Sequence, residues 1–150
     1  MLDRSKIGYK FSSFQVELEK GRLRLFAKAI GETNPVYFDE SAARDAGYRS
    51  MLMPPTFPFS LGREIADPTD TLTLLNIDLA SVLHGQQKFR YYASICAGDI
   101  LCGQKQVVDI YDKKNGTLEF VEVKTEFCDQ TGELLCEAVQ TIIVRRTGAE

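Results

Sequence analysis

The first third of the chain changes from a strand-like to a helix-like pattern of apolar residues. Phe14, Val16 and Leu18 have the period of two that predicts a short strand within residues 11–18. Glu19-Lys20-Gly21 interrupts this pattern. Apolar residues then recur three and four positions apart, which predicts a helix over residues 22–30; these residues are Leu23, Phe26, Ala27 and Ile30.

Turn-forming and capping residues divide the next forty positions. Asn34 precedes a proline, so it must leave the helical conformation. Asp39 is a suitable N-cap for a short helix over residues 40–46, and Gly47 is a suitable end for it. A further helix is predicted from about Pro55 to Ala66, because apolar residues four apart share one face. Residues 67–70, Asp-Pro-Thr-Asp, end this section.

The second half of the chain is rich in strand-forming residues. Strands are predicted at 87–93, 100–112, 117–128 and 134–146. Asn115-Gly116 and Thr131-Gly132 lie between them and are typical of hairpins, so the last three strands should form an antiparallel meander. One strand, a block of helices and then several antiparallel strands predict an α+β fold.

Composition limits the classes of protein to which this chain can belong. Its 150 residues, 44% of them hydrophobic, fit a single domain over 1–150 with a packed core. A net charge of −3 without a run of Lys or Arg argues against nucleic-acid binding. No apolar stretch is long enough for a membrane span. The residues after Met1 lack the apolar core of a signal peptide, and the four cysteines are scattered. We therefore expect a cytoplasmic protein with reduced thiols.

Three segments resemble the MaoC-like hot-dog dehydratase and hydratase family. The first, Gly31-Glu32-Thr33-Asn34-Pro35-Val36-Tyr37, is similar to the hydratase motif Gly-Asp-x-Asn-Pro-x-His. The second is Pro54-Pro55-Thr56-Phe57, and the third begins with Leu83-His84-Gly85 and ends at Ala97-Gly98-Asp99. The last two resemble the N-terminal dehydratase branch, which includes HadA-like subunits of (3R)-hydroxyacyl-thioester dehydratases.

The resemblance implies a hot-dog fold, in which a curled antiparallel β-sheet wraps around a central helix. It also implies an (R)-specific enoyl-thioester hydratase or 3-hydroxyacyl-thioester dehydratase of fatty acid metabolism. In the family, Asp and His handle the water and the proton, and a backbone N–H at the start of the central helix holds the thioester oxygen. No metal or organic cofactor is implied, and His84 is the only histidine of the chain.

The motif departs from the family at its chemical positions. Glu32 replaces the Asp, Tyr37 replaces the His, and Pro55 falls where a glycine usually donates the N–H. The candidate catalytic residues are therefore Glu32, Tyr37 and Asn34, all in altered or structural roles. The candidate substrate-binding residues, taken from the other two segments, are Pro55, Thr56, Phe57, His84 and Gly85.

Several functions stay open at this point. In the leading hypothesis the chain is the acyl-binding half of a heterodimer, and a second hot-dog subunit provides Asp and His. One alternative is a self-sufficient hydratase that uses Glu32 and Tyr37, or His84 as the base. Another is a non-catalytic module that binds acyl thioesters. Whether the chain forms a homodimer or a heterodimer with another hot-dog subunit also stays open. A hot-dog thioesterase is more distant. The thioester is an acyl-CoA or an acyl-carrier protein. Aromatic residues could line an acyl tunnel and basic ones could meet phosphates; these are Phe57, Phe59, Phe89, Tyr91, Tyr92, Arg49, Arg63, Lys88 and Arg90.

Overall fold

In the computed structural model, which describes residues 1–65 and 67–146, one antiparallel sheet holds all the strands. The strands are β1 Phe14–Glu17, β2 Val82–Tyr91, β3 Ile100–Lys113, β4 Leu118–Cys128 and β5 Leu134–Arg145. Their order across the sheet is β1-β3-β4-β5-β2. The predicted meander of the last three strands is confirmed, because β3 pairs with β4 and β4 with β5. β2 lies at one edge.

Four α-helices connect β1 to β2 within the described residues. They are α1 Lys20–Ala29, α2 Glu40–Asp45, α3 Phe57–Ile65 and α4 Asp70–Leu74. Short 3-10 turns occur at Arg4–Lys6, Pro35–Tyr37 and Leu79–Ser81. Strands and helices in this order confirm the predicted α+β class. No helix in the described part of the chain is long and apolar enough to cross a membrane.

The helix α3 packs against the concave face of the sheet. Phe57 and Leu61, four residues apart on α3, are buried together with residues of four strands. The strand residues of this cluster include Leu101, Phe127 and Ala138. Burying side chains of this size contributes about 1.5–3 kcal/mol each, so this contact holds the helix in the curl of the sheet.

Several predicted boundaries were wrong. α1 begins at Lys20 rather than at residue 22, so it includes two residues that were predicted to separate the strand from the helix. The backbone of Glu19 is extended and precedes the helix, and Gly21 is tolerated in the exposed first turn. α3 begins at Phe57 rather than Pro55 and ends at Ile65; Ala66 lies outside the described residues. Pro58 occupies the first turn as predicted, where its missing N–H costs little.

Two elements in the middle of the chain were misplaced. The helix α4 was not predicted, because the sequence analysis placed only the end of the helical section at residues 67–70. α4 is too short to show a clear apolar period, although Thr71 and Leu75, four residues apart, are buried. β2 begins at Val82 instead of Gln87, because Gly85 and its polar neighbours hide the alternation. A bulge between His84 and Gln86 further shifts the register with β5.

Candidate active site

The motif loop between α1 and α2 is a capped 3-10 turn. The side-chain oxygen of Asn34 accepts the backbone N–H of Val36 at 3.2 Å, and Pro35 begins the turn. Asp39 accepts the N–H of Ala42 at 2.8 Å and caps α2, as predicted. Asn34 therefore has the loop-forming role that its position before proline favours.

Glu32 turns its carboxylate back onto its own loop. The Oε1 atom accepts the backbone N–H groups of Thr33 at 2.8 Å and Asn34 at 2.9 Å. These two hydrogen bonds, that of Asn34 first, lower the pKa of Glu32 from its ordinary value. The carboxylate is thus held in its ionised form and is a weaker base than a free glutamate.

Tyr37 lies half-buried near Glu32. Burial is the largest cause that raises the pKa of its phenol above the ordinary value, and the nearby Glu32 and Tyr48 raise it further. At neutral pH the phenol therefore keeps its proton. A protonated phenol can donate a proton or a hydrogen bond, but it cannot take a proton from water.

A short extended segment connects the motif loop to the start of α3. The N–H of Leu52 donates to the carbonyl of Val36 at 3.0 Å. One residue later, the N–H of Met53 donates to the carbonyl of Ile95 at 2.8 Å. Met53 is buried in the core, so this segment fixes the loop relative to Pro54 and the helix that follows.

The start of α3 offers one amide that could hold an oxyanion. Pro55 and Pro58 carry no N–H, and the N–H of Phe57 already donates to the carbonyl of Pro54 at 3.0 Å. The amide of Phe59 donates to the carbonyl of Thr56 at 3.3 Å. Among residues 55–59 this leaves the amide of Thr56, an exposed residue just before the helix begins. A helix N-terminus favours negative charge at such a position.

A small cavity of about 360 Å³ adjoins the start of α3. Its lining includes Tyr48, Pro55, Tyr91 at the end of β2 and Tyr92 just after that strand. The hydroxyl of Tyr91 donates to the carbonyl of Pro55 at 2.8 Å. Burial, followed by the neighbouring Cys136, raises the pKa of Tyr91, and burial raises the pKa of the Cys136 thiol to about 11. Both groups are therefore neutral at physiological pH.

His84 and Gly85 lie at the other end of β2, away from the motif loop. His84 is exposed, stacks on Phe59 with ring centroids 5.3 Å apart, and places its Nε2 atom 3.2 Å from the carbonyl of Gln86. Gly85 occupies the bulge, where a Cβ atom would lie 2.6 Å from Cδ1 of Ile143. A side chain at position 85 would therefore collide with β5.

A larger cavity of about 580 Å³ lies between α3 and the concave face of the sheet. Phe59, Gly62 and Arg63 form its helical wall. The strands contribute His84 and Gln87 among others. This volume lies within the range of small-molecule sites, which is about 300–1,000 Å³.

The other predicted tunnel and phosphate residues are divided between several environments. Tyr91 and Tyr92 line the small cavity and Phe59 the large one, whereas Phe57 is buried against Phe26 with ring centroids 4.9 Å apart. Phe89 packs against the same core. Arg49 forms a bidentate pair with Asp99 at 2.8 and 2.9 Å, so its charge is already matched.

Several residues that line or adjoin the two cavities were not predicted from the sequence. Tyr48 and Cys136 come close to the tyrosines only through the fold, and nothing in their local sequence indicates this. Lys105, Thr125 and Gln140 line the large cavity. Their signal was present, because they are polar at inward-facing positions of strands that otherwise bury apolar side chains. Within the described residues, no group of His, Cys, Asp and Glu could hold a metal ion.

Residues 5–138 match the model of the family described as FAS1-like, dehydratase domain region, and the chain belongs to this family. It is 35% identical over 134 residues to a UPF0336 protein of Thermobifida fusca, covering 86% of this chain and 84% of that one.

Solved structures of the same architecture confirm the hot-dog fold. One is the HadBC (3R-hydroxyacyl-ACP dehydratase) complex of Mycobacterium tuberculosis, with a TM-score of 0.78 and 23% identity, covering 91% of this chain and 96% of that one. Another is the ChsH1-ChsH2 complex of the same organism, with a TM-score of 0.76 and 18% identity, covering 95% and 87%. At these identities the likeness establishes the fold.

Proposed function

We propose that this chain is one subunit of an (R)-specific enoyl-thioester hydratase, or of the 3-hydroxyacyl-thioester dehydratase that catalyses the reverse reaction. It binds the acyl group of a coenzyme A or carrier-protein thioester. A second hot-dog subunit supplies the Asp and His that handle water and proton.

The state of Glu32 and Tyr37 carries this proposal. Hydration requires a base that takes a proton from water as the oxygen attacks the double bond. The carboxylate of Glu32 is committed to two backbone amides, which lower its pKa. The phenol of Tyr37, whose pKa is raised, is already protonated. Glu32 is therefore a weaker base than a free carboxylate and is hydrogen-bonded to its own loop, while Tyr37 already holds its proton, so we assign the base to another chain.

The contribution of this chain is binding and polarisation of the thioester. The free amide of Thr56 at the start of α3 donates to the carbonyl oxygen, which becomes negative as water adds. The cavity between α3 and the sheet, about 580 Å³ in volume, receives the acyl chain. Losing one oxyanion donor typically costs about a hundred- to a thousandfold in rate, so a single well-placed amide is a substantial contribution.

The exposed edge of the sheet supports pairing with a second hot-dog chain. β2 is hydrogen-bonded to β5 on one side, and within the described residues no strand pairs with its other side. β2 is ten residues long and carries exposed Leu83 and partly exposed Tyr91, and the exposed Tyr92 follows directly after it; an apolar edge of this kind favours association. Two structures with the same fold are named as two-subunit complexes, HadBC and ChsH1-ChsH2.

The test is hydration of crotonyl-CoA, followed as loss of the conjugated enoyl absorbance. The purified chain alone should be inactive, also with longer enoyl-CoA and carrier-linked substrates. Addition of a hot-dog subunit with an intact Asp-x-Asn-Pro-x-His motif should produce turnover. Glu32→Gln keeps the side-chain length and removes the charge, and this variant should support turnover in the complex as well as the unaltered chain does.

Two other results would overturn the proposal in different ways. Turnover by the chain alone that disappears in Glu32→Gln would establish a self-sufficient hydratase. Acyl-CoA binding without turnover, even with a competent partner subunit, would establish a non-catalytic binding module.

A further inference from the structure

A polar stripe crosses the floor of the large cavity. It consists of Lys105 on β3, Thr125 on β4, Gln140 on β5 and Gln87 on β2, and all four side chains line the cavity. Lys105 is directly opposite Thr125, and Gln140 is directly opposite Gln87. Thr125 and Gln140 are diagonal neighbours, since Thr125 pairs with Ala138, two residues before Gln140. The stripe therefore runs without a break across four strands.

Such a stripe is unusual beneath a helix that packs on a sheet. On β4 and β5 the neighbouring inward-facing positions are apolar: Val123 and Phe127 flank Thr125, and Ala138 and Ile142 flank Gln140. Polar side chains that leave water without gaining hydrogen-bond partners destabilise a fold. A pocket meant for a plain hydrocarbon chain would favour apolar residues at all of these positions.

The charge in the stripe is already balanced. The ammonium group of Lys105 forms an ion pair with Asp70, and it lies 4.5 Å from the ring centroid of Phe11. The remaining members, a hydroxyl and two primary amides, are neutral. The stripe therefore suits neutral hydrogen-bonding groups better than a carboxylate or phosphate.

Gln87 adds a second, independent observation. Its Nε2 atom donates to the carbonyl of Lys88 at 3.4 Å, and this bond orients the amide. Its Oε1 atom is shielded from water and has no hydrogen-bond partner among the residues that the structure describes. A buried acceptor in this state is stabilised when a donor reaches it, because the hydrogen bond that it lost with water is then replaced. A small rotation of the side chain toward the cavity would allow such a donor, for example a hydroxyl group, to bind.

The stripe is well separated from the start of α3, where the thioester is placed. Gln87 and Tyr91 are four residues apart on β2, which corresponds to about 13 Å along a strand. A hydroxyl that reaches Gln87 is therefore remote from the carbon atoms that react.

We infer that the cavity takes an oxygenated acyl group, one with a neutral hydroxyl far from the thioester, in preference to a plain alkyl chain. This inference rests on the proposed function, because it assigns the acyl tail to the large cavity. The hydroxyl donates to the amide oxygen of Gln87 or Gln140 and accepts from Thr125 or an amide N–H group.

The experiment measures binding of the full chain to decanoyl-CoA, 10-hydroxydecanoyl-CoA and 12-hydroxydodecanoyl-CoA by titration calorimetry. If the hydroxyl forms one hydrogen bond of ordinary strength, the tighter-binding of the two hydroxylated probes should have a Kd about three- to tenfold lower than that of decanoyl-CoA. The variants Gln87→Leu and Thr125→Val should remove or reverse this preference and leave decanoyl-CoA binding at least as tight. Gln86→Leu is the matched control, because neighbouring strand residues face opposite sides of the sheet, and it should keep the preference.

The outcomes distinguish the inference of an oxygenated acyl group from the proposed acyl-binding function. Equal or tighter binding of decanoyl-CoA, unchanged in Gln87→Leu and Thr125→Val, would overturn the oxygenated substrate and leave the acyl-binding function intact. No detectable binding of any of the three acyl-CoA probes would overturn both. Circular dichroism of each variant, compared with the unaltered chain, establishes that the change in preference occurs in a folded protein.

Discussion

Tyr91 donates its hydroxyl hydrogen to the carbonyl oxygen of Pro55 at 2.8 Å, and so ties the end of β2 to the start of α3. The two residues are 36 positions apart in the chain. Pro55 directly precedes Thr56, whose amide is the proposed oxyanion donor. This hydrogen bond therefore connects the edge strand, where a partner subunit would pair, to the group proposed to polarise the thioester.

Removing this hydroxyl should weaken the fold measurably. Tyr91→Phe leaves the carbonyl of Pro55 without its donor and should lower the free energy of unfolding by about 1 kcal/mol. For a chain of this size, the melting temperature should fall by about 2–4 °C. Tyr9→Phe is the matched control, because within the described residues the Tyr9 hydroxyl has no hydrogen bond, and its loss should change stability by less than about 0.5 kcal/mol. An equal effect of both substitutions would contradict the structural role of Tyr91.

The amide of Thr56 can be tested by removing it. Thr56→Pro deletes the N–H, whereas Thr56→Ala keeps it and removes only the side chain. In the complex with a catalytic partner, Thr56→Pro should reduce kcat for crotonyl-CoA hydration by about a hundredfold or more, and Thr56→Ala should stay close to the unaltered chain. A large loss in Thr56→Ala would assign the effect to the side chain instead. The circular dichroism spectra of the two variants are compared to confirm that α3 still forms.

Much of this fold could be predicted because the patterns are local. Asn34 before proline, Asp39 as a cap and the glycine turns between strands each act through neighbouring residues, and the structure confirms them. The start of β2 could not be predicted, because the bulge at Gly85 depends on the contact with Ile143 of another strand.

The same distinction between local and long-range contacts applies to the candidate site. Glu32 and Tyr37 could be found as departures from a motif, since they are close in sequence. The hydrogen bonds that hold Glu32 ionised are also local, because their donors are the amides of Thr33 and Asn34. The burial that raises the pKa of Tyr37 and the assembly of the cavity-lining side chains depend instead on residues that are distant in the sequence. The residues could therefore be named from the sequence, but the burial of Tyr37 and the cavity could not.

Gly103 on β3 makes close contact with a ring on β1. A Cβ atom at position 103 would lie 2.1 Å from Cζ of Phe14, so Gly103→Ala should displace the ring and destabilise the protein by about 1–3 kcal/mol. In the double variant Gly103→Ala with Phe14→Ala, the loss of stability should be smaller than the sum of the losses in the two single variants. The reason is that the ring that would collide with the added methyl group is absent. Additive effects, measured by urea denaturation, would contradict the contact. Gly21→Ala, with nothing within 4 Å of the added methyl group, should leave stability unchanged or slightly raised.

Glu119 links the two ends of the described chain and should make stability depend on pH. Its buried carboxylate accepts the backbone N–H of Leu2 and pairs with the guanidinium of Arg146, both at 2.5 Å. Burial alone would raise the pKa of Glu119, but these two partners outweigh it and bring the pKa below the ordinary value of 4.5. Because the pKa is lower in the folded state, the stabilisation is fully present above about pH 4.5 and is lost as the pH falls through the folded value.

Glu119→Gln should therefore lower the free energy of unfolding at pH 7 by about 1–3 kcal/mol, since a charged hydrogen-bonded group is lost. The difference between this variant and the unaltered chain should shrink as the pH is lowered below 4.5, because the carboxyl group of the unaltered chain then becomes neutral too. Urea denaturation at a series of pH values measures this difference directly. Glu133→Gln, at an exposed position in the turn before β5, should give a small difference at every pH. A difference for Glu119→Gln that stays constant down to acid pH would show that the carboxylate charge is not what stabilises this contact.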